Sequence, residues 1–215
     1  MSAAAVPHGA PSDPFRLFFP LGIVLLPTER LPLHIFEDRY QELIEECLAQ
    51  DAEFGLVFAD DDGIRDVGTR ARVAEVLTRF EDGRLNILVE GGERFQVDEL
   101  TDGRSFHTAE VSPIDDADDA ADEIAIGEAM RIFGVLRDVT GSDVEPPDPS
   151  SPQLSYALAG KVELSAGEKL MLLRELSERR RIELVHELLE HAVLAARRVR
   201  KAAERAATNG KVDLG

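Results

Sequence analysis

The sequence predicts an α+β protein, a small bent antiparallel β-barrel followed by an α-helical bundle, and three patterns carry that expectation. Pro20, Pro27 and Pro32 lie within an apolar stretch of Phe, Leu, Ile and Val, a density that forbids helix and allows only short or bent strands. From Phe54 to Val111 apolar and polar residues alternate between Asp–Gly turn signals, the period of strands. After Ile124 the apolar residues recur at helical spacing.

Each element follows in chain order. Residues 1–14 are rich in Ala, Pro and Ser and are expected to form a flexible leader. Residues 15–114 are the expected barrel part, with short strands at Leu17–Phe19, Ile23–Leu25 and Leu31–Ile35. One helix interrupts them at Glu37–Gln50, where Tyr40, Leu43, Ile44, Cys47 and Leu48 share a stripe. Cys47 lies on that stripe and reads as a packed core thiol. Further strands are expected at Phe54–Ala59, Val67–Phe80, Leu85–Glu90 and Ser105–Val111, with a hairpin at Asp82-Gly83 and a bulge or tight bend at Gly91-Gly92.

Residues 115–123 carry six carboxylates and read as a solvated acidic linker. The helical bundle is expected over 124–207. Its helices are Ile124–Val139, a short one at Leu154–Ala159, one opened by the capping box Ser165-Ala166-Gly167-Glu168, and a long one from about Arg179. Ser142–Pro152, with four prolines, is a loop. Residues 208–215 are expected to be disordered.

Composition narrows the function classes. A net charge of -18 repels phosphate backbones and anionic lipid, so nucleic acid and membrane are disfavoured as partners. A single cysteine excludes an internal disulfide and a thiolate-rich metal site. No apolar run approaches about 20 residues, so no transmembrane helix is expected. The N-terminus has neither a basic nor an apolar signal region, and the expected compartment is cytoplasmic.

Catalytic and cofactor signatures are missing. There is no P-loop and no Gly-x-Gly-x-x-Gly turn, and no cofactor is expected. His186 and His191 are five apart and fall on different helix faces, which misses zinc geometry. The acidic run at 115–123 lacks the spacing and central glycine of a calcium loop. Ser165 and Lys169 stand four apart, as in a Ser–Lys dyad, but the capping box already accounts for Ser165, and Lys169 reads as a surface lysine. Arg179-Arg180-Arg181 and the group Arg197, Arg198, Arg200, Lys201 and Arg205 are the basic clusters; no aromatics interleave them to stack bases, and helix electrostatics suffices to explain them.

The stretch Phe19-Pro20-Leu21-Gly22-Ile23-Val24-Leu25-Leu26-Pro27, followed by Leu31-Pro32-Leu33-His34-Ile35-Phe36-Glu37-Asp38-Arg39-Tyr40, resembles the opening signature of the Lon protease N-terminal, substrate-binding domain family. Val67-Gly68-Thr69-Arg70-Ala71-Arg72-Val73 and Val89-Glu90-Gly91-Gly92-Glu93-Arg94-Phe95 resemble two later pieces of that pattern. The resemblance spans roughly Arg16 to Val199. It implies a PUA-like barrel followed by a helical bundle, and a free-standing protein without the ATPase and protease domains. It singles out no catalytic residue. Within the motif, Phe36 is expected to anchor the next helix on the barrel, Glu37 and Arg39 to pair locally, and Gly91, Gly92 and Arg94 to shape a barrel corner.

The expected function is therefore non-catalytic binding of unfolded or extended polypeptides, as a substrate or adaptor module that works with an ATP-dependent protease in protein quality control. Phe15, Leu17, Phe18, Leu25, Leu26 and Phe80 are the candidate polypeptide-binding residues. Two other readings compete: a peptidase-like hydrolase, which needs a nucleophile–base pair, and RNA binding through the barrel, which the net charge opposes.

Overall fold

The computed structural model describes residues 15–18, 22–101 and 104–209, with side chains through residue 205. The expected leader at 1–14, Phe19 of the first strand, the Asp102-Gly103 turn and most of the expected tail lie outside those residues. Six strands form one sheet: β1 (Phe15–Phe18), β2 (Arg30–Ile35), β3 (Phe54–Asp60), β4 (Gly63–Arg79), β5 (Leu85–Thr101) and β6 (His107–Pro113). Their order is β2-β5-β4-β3-β1-β6, and β5 also pairs with β6. That extra pairing closes β5, β4, β3, β1 and β6 into a ring and, among the described residues, leaves β2 as a strand joined only to β5.

One residue span, β5, makes the closure possible. Its first part, Leu85–Glu90, pairs with β2, and its last part, Phe95–Thr101, pairs with β6. The strand must bend between them, and the bend is where Gly91-Gly92 suggests it. Thr69 pairs with Arg94 but Ala71 pairs with Gly91, so β5 carries one extra residue there. A bulge of this kind increases twist and turns the strand. Gly91 is needed for a second reason: a Cβ on it would stand 2.1 Å from the Leu26 carbonyl oxygen.

Two expectations about the strands require correction. The sheet is mixed, because β1 runs parallel to β3, while its other pairings are antiparallel. Residues 23–26 have no regular structure. They cross the barrel mouth as irregular chain, tied by a hydrogen bond from Thr69 Oγ1 to the Leu25 carbonyl (2.7 Å) in place of a strand ladder.

The helices are α1 (Asp38–Gln50), α2 (Glu123–Thr140), α3 (Leu154–Ala159), α4 (Ala166–Arg174) and α5 (Glu178–Asn209). Helix α1 lays Tyr40, Leu43, Ile44 and Cys47 on the barrel residues Phe54, Leu85 and Ile87. The capping box forms at Ser165 and Glu168. A second core joins the bundle to the barrel, since Val24, Leu26, Phe58 and Val67 pack with Phe133, Tyr156, Leu172, Ile182 and Leu189.

The acidic run is not a solvated linker throughout. Arg94 (4% exposed) and Arg181 (0%) are buried at the barrel–bundle junction, and Asp116 accepts hydrogen bonds from both. Arg94 Nη1 also donates to the carbonyls of Leu173 (2.7 Å) and Glu175 (2.9 Å). Arg181 reaches Glu178 (2.7 Å) and Ser155 Oγ (3.1 Å). Asp119 accepts from Ser177 Oγ (2.6 Å) and pairs with Arg179. Ionised groups are tolerated in the interior only when paired and hydrogen-bonded, and this junction meets both conditions. Arg181 is therefore no surface cation complementing a helix end: it lies in the first turn of α5 and is fully buried.

Candidate functional site

An apolar cleft lies where β2 runs into α1. It has a volume of about 500 Å³ and is lined by Phe18, Ile23, Pro32, Leu33, His34, Ile35, Phe36, Glu37, Arg39, Tyr40, Ala59 and His107. Its floor is core. Phe18, Leu33, Ile35 and Tyr40 are all buried, and Phe18 is fixed edge-on against Tyr40 (4.3 Å between centroids, 64°) and Phe54 (6.1 Å, 78°).

The wall follows from strand geometry. Successive side chains alternate across a strand, so Leu33 and Ile35 turn inward while Pro32, His34 and Phe36 turn outward. Phe36 is 60% exposed. Its expected role as the anchor of α1 is thus corrected: it continues the outward face of β2, and Tyr40 supplies the anchor one turn later. His34 stacks on Phe36 (5.9 Å, 21°) and meets Phe80 edge-on (6.1 Å, 85°). His34 Nδ1 stands at hydrogen-bond distance, 2.6 Å, from Asn86 Oδ1 on the neighbouring strand β5. Gln41 Nε2 donates to the Phe36 carbonyl (3.0 Å) and holds the strand–helix junction.

The rim is polar. Glu37 and Arg39 pair as expected, with Arg39 Nε 2.9 Å from Glu37 Oε2. The Arg39 guanidinium lies 4.4 Å from the centre of the Tyr40 ring. Arg39 spends its charge on these two contacts, so the cleft presents an apolar interior edged by a neutralised pair.

The candidate residues divide sharply. Phe18 is in the cleft floor, and Phe80 is half-buried behind the wall, against His34. Leu17, Leu25 and Leu26 are core, at 0%, 1% and 0% exposure, and cannot meet another chain while the fold is intact. Phe15 is half-buried elsewhere, edge-on to Phe95 (5.5 Å) with Arg70 over its ring (4.6 Å). Phe18 is the one cleft-lining residue in the candidate set, and Pro32, His34 and Phe36 are among those it omits. The period-two pattern of Pro32, His34 and Phe36 was their signal.

Groups with catalytic potential are committed elsewhere. Lys169 is not a surface lysine: Nζ is inserted between Glu29 and the Val24 carbonyl, with no bond to Ser165. Ser155 Oγ donates to Glu178 Oε2 (2.6 Å), but both are sealed beneath Arg181. Ser155, Glu178 and Arg181 are all buried, and the group is out of reach of substrate. Burial pushes the Cys47 thiol up to about 11. Among the described residues no group of three His, Cys, Asp or Glu side chains is placed to hold a metal ion.

Residues 16–191 match the model of the ATP-dependent protease La (LON) substrate-binding domain. The chain belongs to the Lon substrate-binding domain family. Lon protease of Brucella suis biovar 1 (strain 1330) is 26% identical over 186 residues, covering 78% of this chain and 22% of that protease. Lon protease of Paraburkholderia phytofirmans is 23% identical over 227 residues, covering 98% of this chain and 28% of that one. The chain thus spans about a quarter of the length of these relatives. Among solved structures, a Lon N-terminal domain protein from Xanthomonas campestris superposes with a TM-score of 0.59 at 26% identity, over 79% of this chain and 94% of that one. The N-terminal domain of Mycobacterium avium complex Lon protease superposes at 0.64 with 17% identity, over 82% and 97%. Three of the Lon-like motifs map to the site and its support: Leu31–Tyr40 forms the wall, Val67–Val73 lies within β4, and Val89–Phe95 is the β5 bend.

Proposed function

We propose that this Lon substrate-binding domain holds extended, apolar polypeptide segments in the β2–α1 cleft and carries out no covalent chemistry on them. The observation that carries the reading is Phe36, a large apolar side chain 60% exposed beside an apolar cleft and an open strand edge. Among the described residues, strand β2 is joined on one side only. Pro32 has no N–H to donate, and it fits an edge strand when that missing donor faces away from the neighbour. On this phasing the backbone of Arg30 and His34 faces outward as well, open to an added strand.

Strand addition engages the main chain, which every polypeptide has, while the cleft takes alternate apolar side chains. Such a site tolerates many sequences and still requires an unfolded, apolar segment. That is the recognition a protein quality-control module needs, and it suits an adaptor or substrate receptor for an ATP-dependent protease. The net charge of -18 adds a bias against acidic segments.

The test is fluorescence anisotropy with a labelled, extended apolar peptide. Phe36→Ala weakens binding by about fivefold or more, with an unchanged melting temperature because Phe36 is largely outside the core. N-methylation of alternate backbone nitrogens in the peptide weakens it further. Equal affinity for the N-methylated and parent peptides removes strand addition; equal affinity for the Phe36→Ala and parent proteins removes the cleft.

A further inference from the structure

We infer that the α2–α5 face docks a second copy of this chain, with the two α5 helices antiparallel and crossing at Leu194. The proposal is independent of the cleft and begins from the charge order along α5. At 100° per residue, Glu183, Glu187, Glu190, Leu194, Arg197, Lys201 and Arg205 lie within about 60° of one line on the helix. All seven are exposed, Leu194 at 49%. The N-terminal half of the line is acidic and the C-terminal half basic.

An antiparallel copy placed about Leu194 sets Glu183 opposite Arg205, Glu187 opposite Lys201 and Glu190 opposite Arg197. The three pairs then occur twice, as an isologous contact requires. A parallel copy would place like charges together throughout. Within one chain all but one of these charges are unspent: among the described residues the ion pairs of α5 with its own residues are Arg181–Glu178, Arg180–Glu183 and Arg200–Glu204, so of the line only Glu183 already has a partner. Glu187, Glu190, Arg197, Lys201 and Arg205 make none.

The shape agrees with the charges. Helix α2 flanks the acidic half, and the two helices leave shallow grooves, one between Ala125, Glu128, Glu183 and Glu187, the next between Arg131, Val135, Glu190 and Leu194. Residues 197–205 are exposed on every side, Val199 at 71%. An isolated helical arm of that length is marginal in water, and it carries five cations, Arg197, Arg198, Arg200, Lys201 and Arg205, against the single anion Glu204. Laid along the grooves of the second copy, the arm gains both packing and the carboxylates of Glu128, Glu183 and Glu187.

The contact is one helix pair wide, so the dimer is weak and concentration-dependent, and salt screens it. Sedimentation equilibrium of the full chain at about 25 mM and about 500 mM NaCl, where the Debye length is roughly 20 Å and roughly 4 Å, reads this as a dimer at low salt that dissociates at high salt. Glu187→Lys alone and Lys201→Glu alone each weaken the dimer at least about tenfold. Combining both in one chain restores it, because every crossing pair again has opposite signs, and mixing the two single variants yields a heterodimer. Circular dichroism of each variant matches the parent, since both positions are exposed. A monomer at every salt concentration overturns the proposal, as does a monomer that shifts only on addition of an RNA oligonucleotide. A dimer that the double exchange does not restore overturns the antiparallel register.

Discussion

Arg181 shows how one side chain settles the junction of barrel and bundle. Burial works against its charge, and the carboxylates of Asp116 and Glu178 more than offset that, holding the guanidinium above its ordinary pKa. Its plane also lies 4.6 Å from the centre of the Tyr156 ring. Arg181→Ala leaves Glu178 (side chain 12% exposed) beside Ser155 with no cation, and the expected cost is about 3–5 kcal/mol in urea unfolding. Arg180→Ala, one residue earlier and exposed, is expected within about 0.5 kcal/mol of the parent. The arginine run hid this difference, because three consecutive helix positions point 100° apart and one of them can face the core. Cys47 gives a second test at this scale. Its thiol, raised to about 11 by burial, is neutral in the folded protein at pH 8, and a thiol reagent is expected to label it only after denaturation. Because the folded value lies above the unfolded one, this group's contribution to stability is complete below about pH 8 and declines as the pH rises toward 11.

At the scale of elements, the β5 bend is legible in part. The Gly91-Gly92 pair marks the place, but not the division of labour between the two. A Cβ at Gly91 would meet the Leu26 carbonyl at 2.1 Å, whereas one at Gly92 would come no closer than 3.5 Å to its neighbours. Gly91→Ala must push the irregular segment 23–26 off the barrel and is expected to cost about 2–4 kcal/mol. Gly92→Ala is expected to cost under about 1 kcal/mol; both are read from thermal unfolding midpoints. The helices were easier to read. Leu154–Ala159 and the Ser165 capping box rest on local periodicity and local hydrogen bonds, which a short stretch of sequence carries in full. The parallel pairing of β1 with β3 was not legible, since a strand's pattern tells which face is buried but not which strand lies beside it. Phe36 failed for a related reason: at a strand–helix junction both periods apply, and the strand's outward phase prevailed over the helix's inward one.

Across the whole molecule, the cleft depends on a barrel that the bundle keeps closed. Val24 and Leu26 belong to the bundle's core while their neighbour Leu25 belongs to the barrel's, so the segment leading into β2 is shared between the halves. Lys169 of α4 fastens the same segment through Glu29 and the Val24 carbonyl, and Arg94 of β5 holds the carbonyls at the end of α4. With cores and ion pairs crossing the junction, the two halves are expected to unfold as one unit. The protein offers one reporter for each: it has no tryptophan and two tyrosines, Tyr40 against the barrel and Tyr156 in the bundle. Tyr156→Phe isolates the first signal and Tyr40→Phe the second. In the parent background the two urea transitions are expected to coincide. Arg94→Ala removes the donor to Leu173 and one of the two donors to Glu175, and leaves Asp116 and Glu175 their bonds to Arg181, so each half keeps its own core while the tie between them weakens. The expected result is a lower midpoint for both reporters and a separation between them, with the Tyr40 signal changing first because the barrel mouth loses its support. Coincident transitions in Arg94→Ala would mean that the shared apolar core alone couples the halves, and that the buried arginine contributes stability without cooperativity.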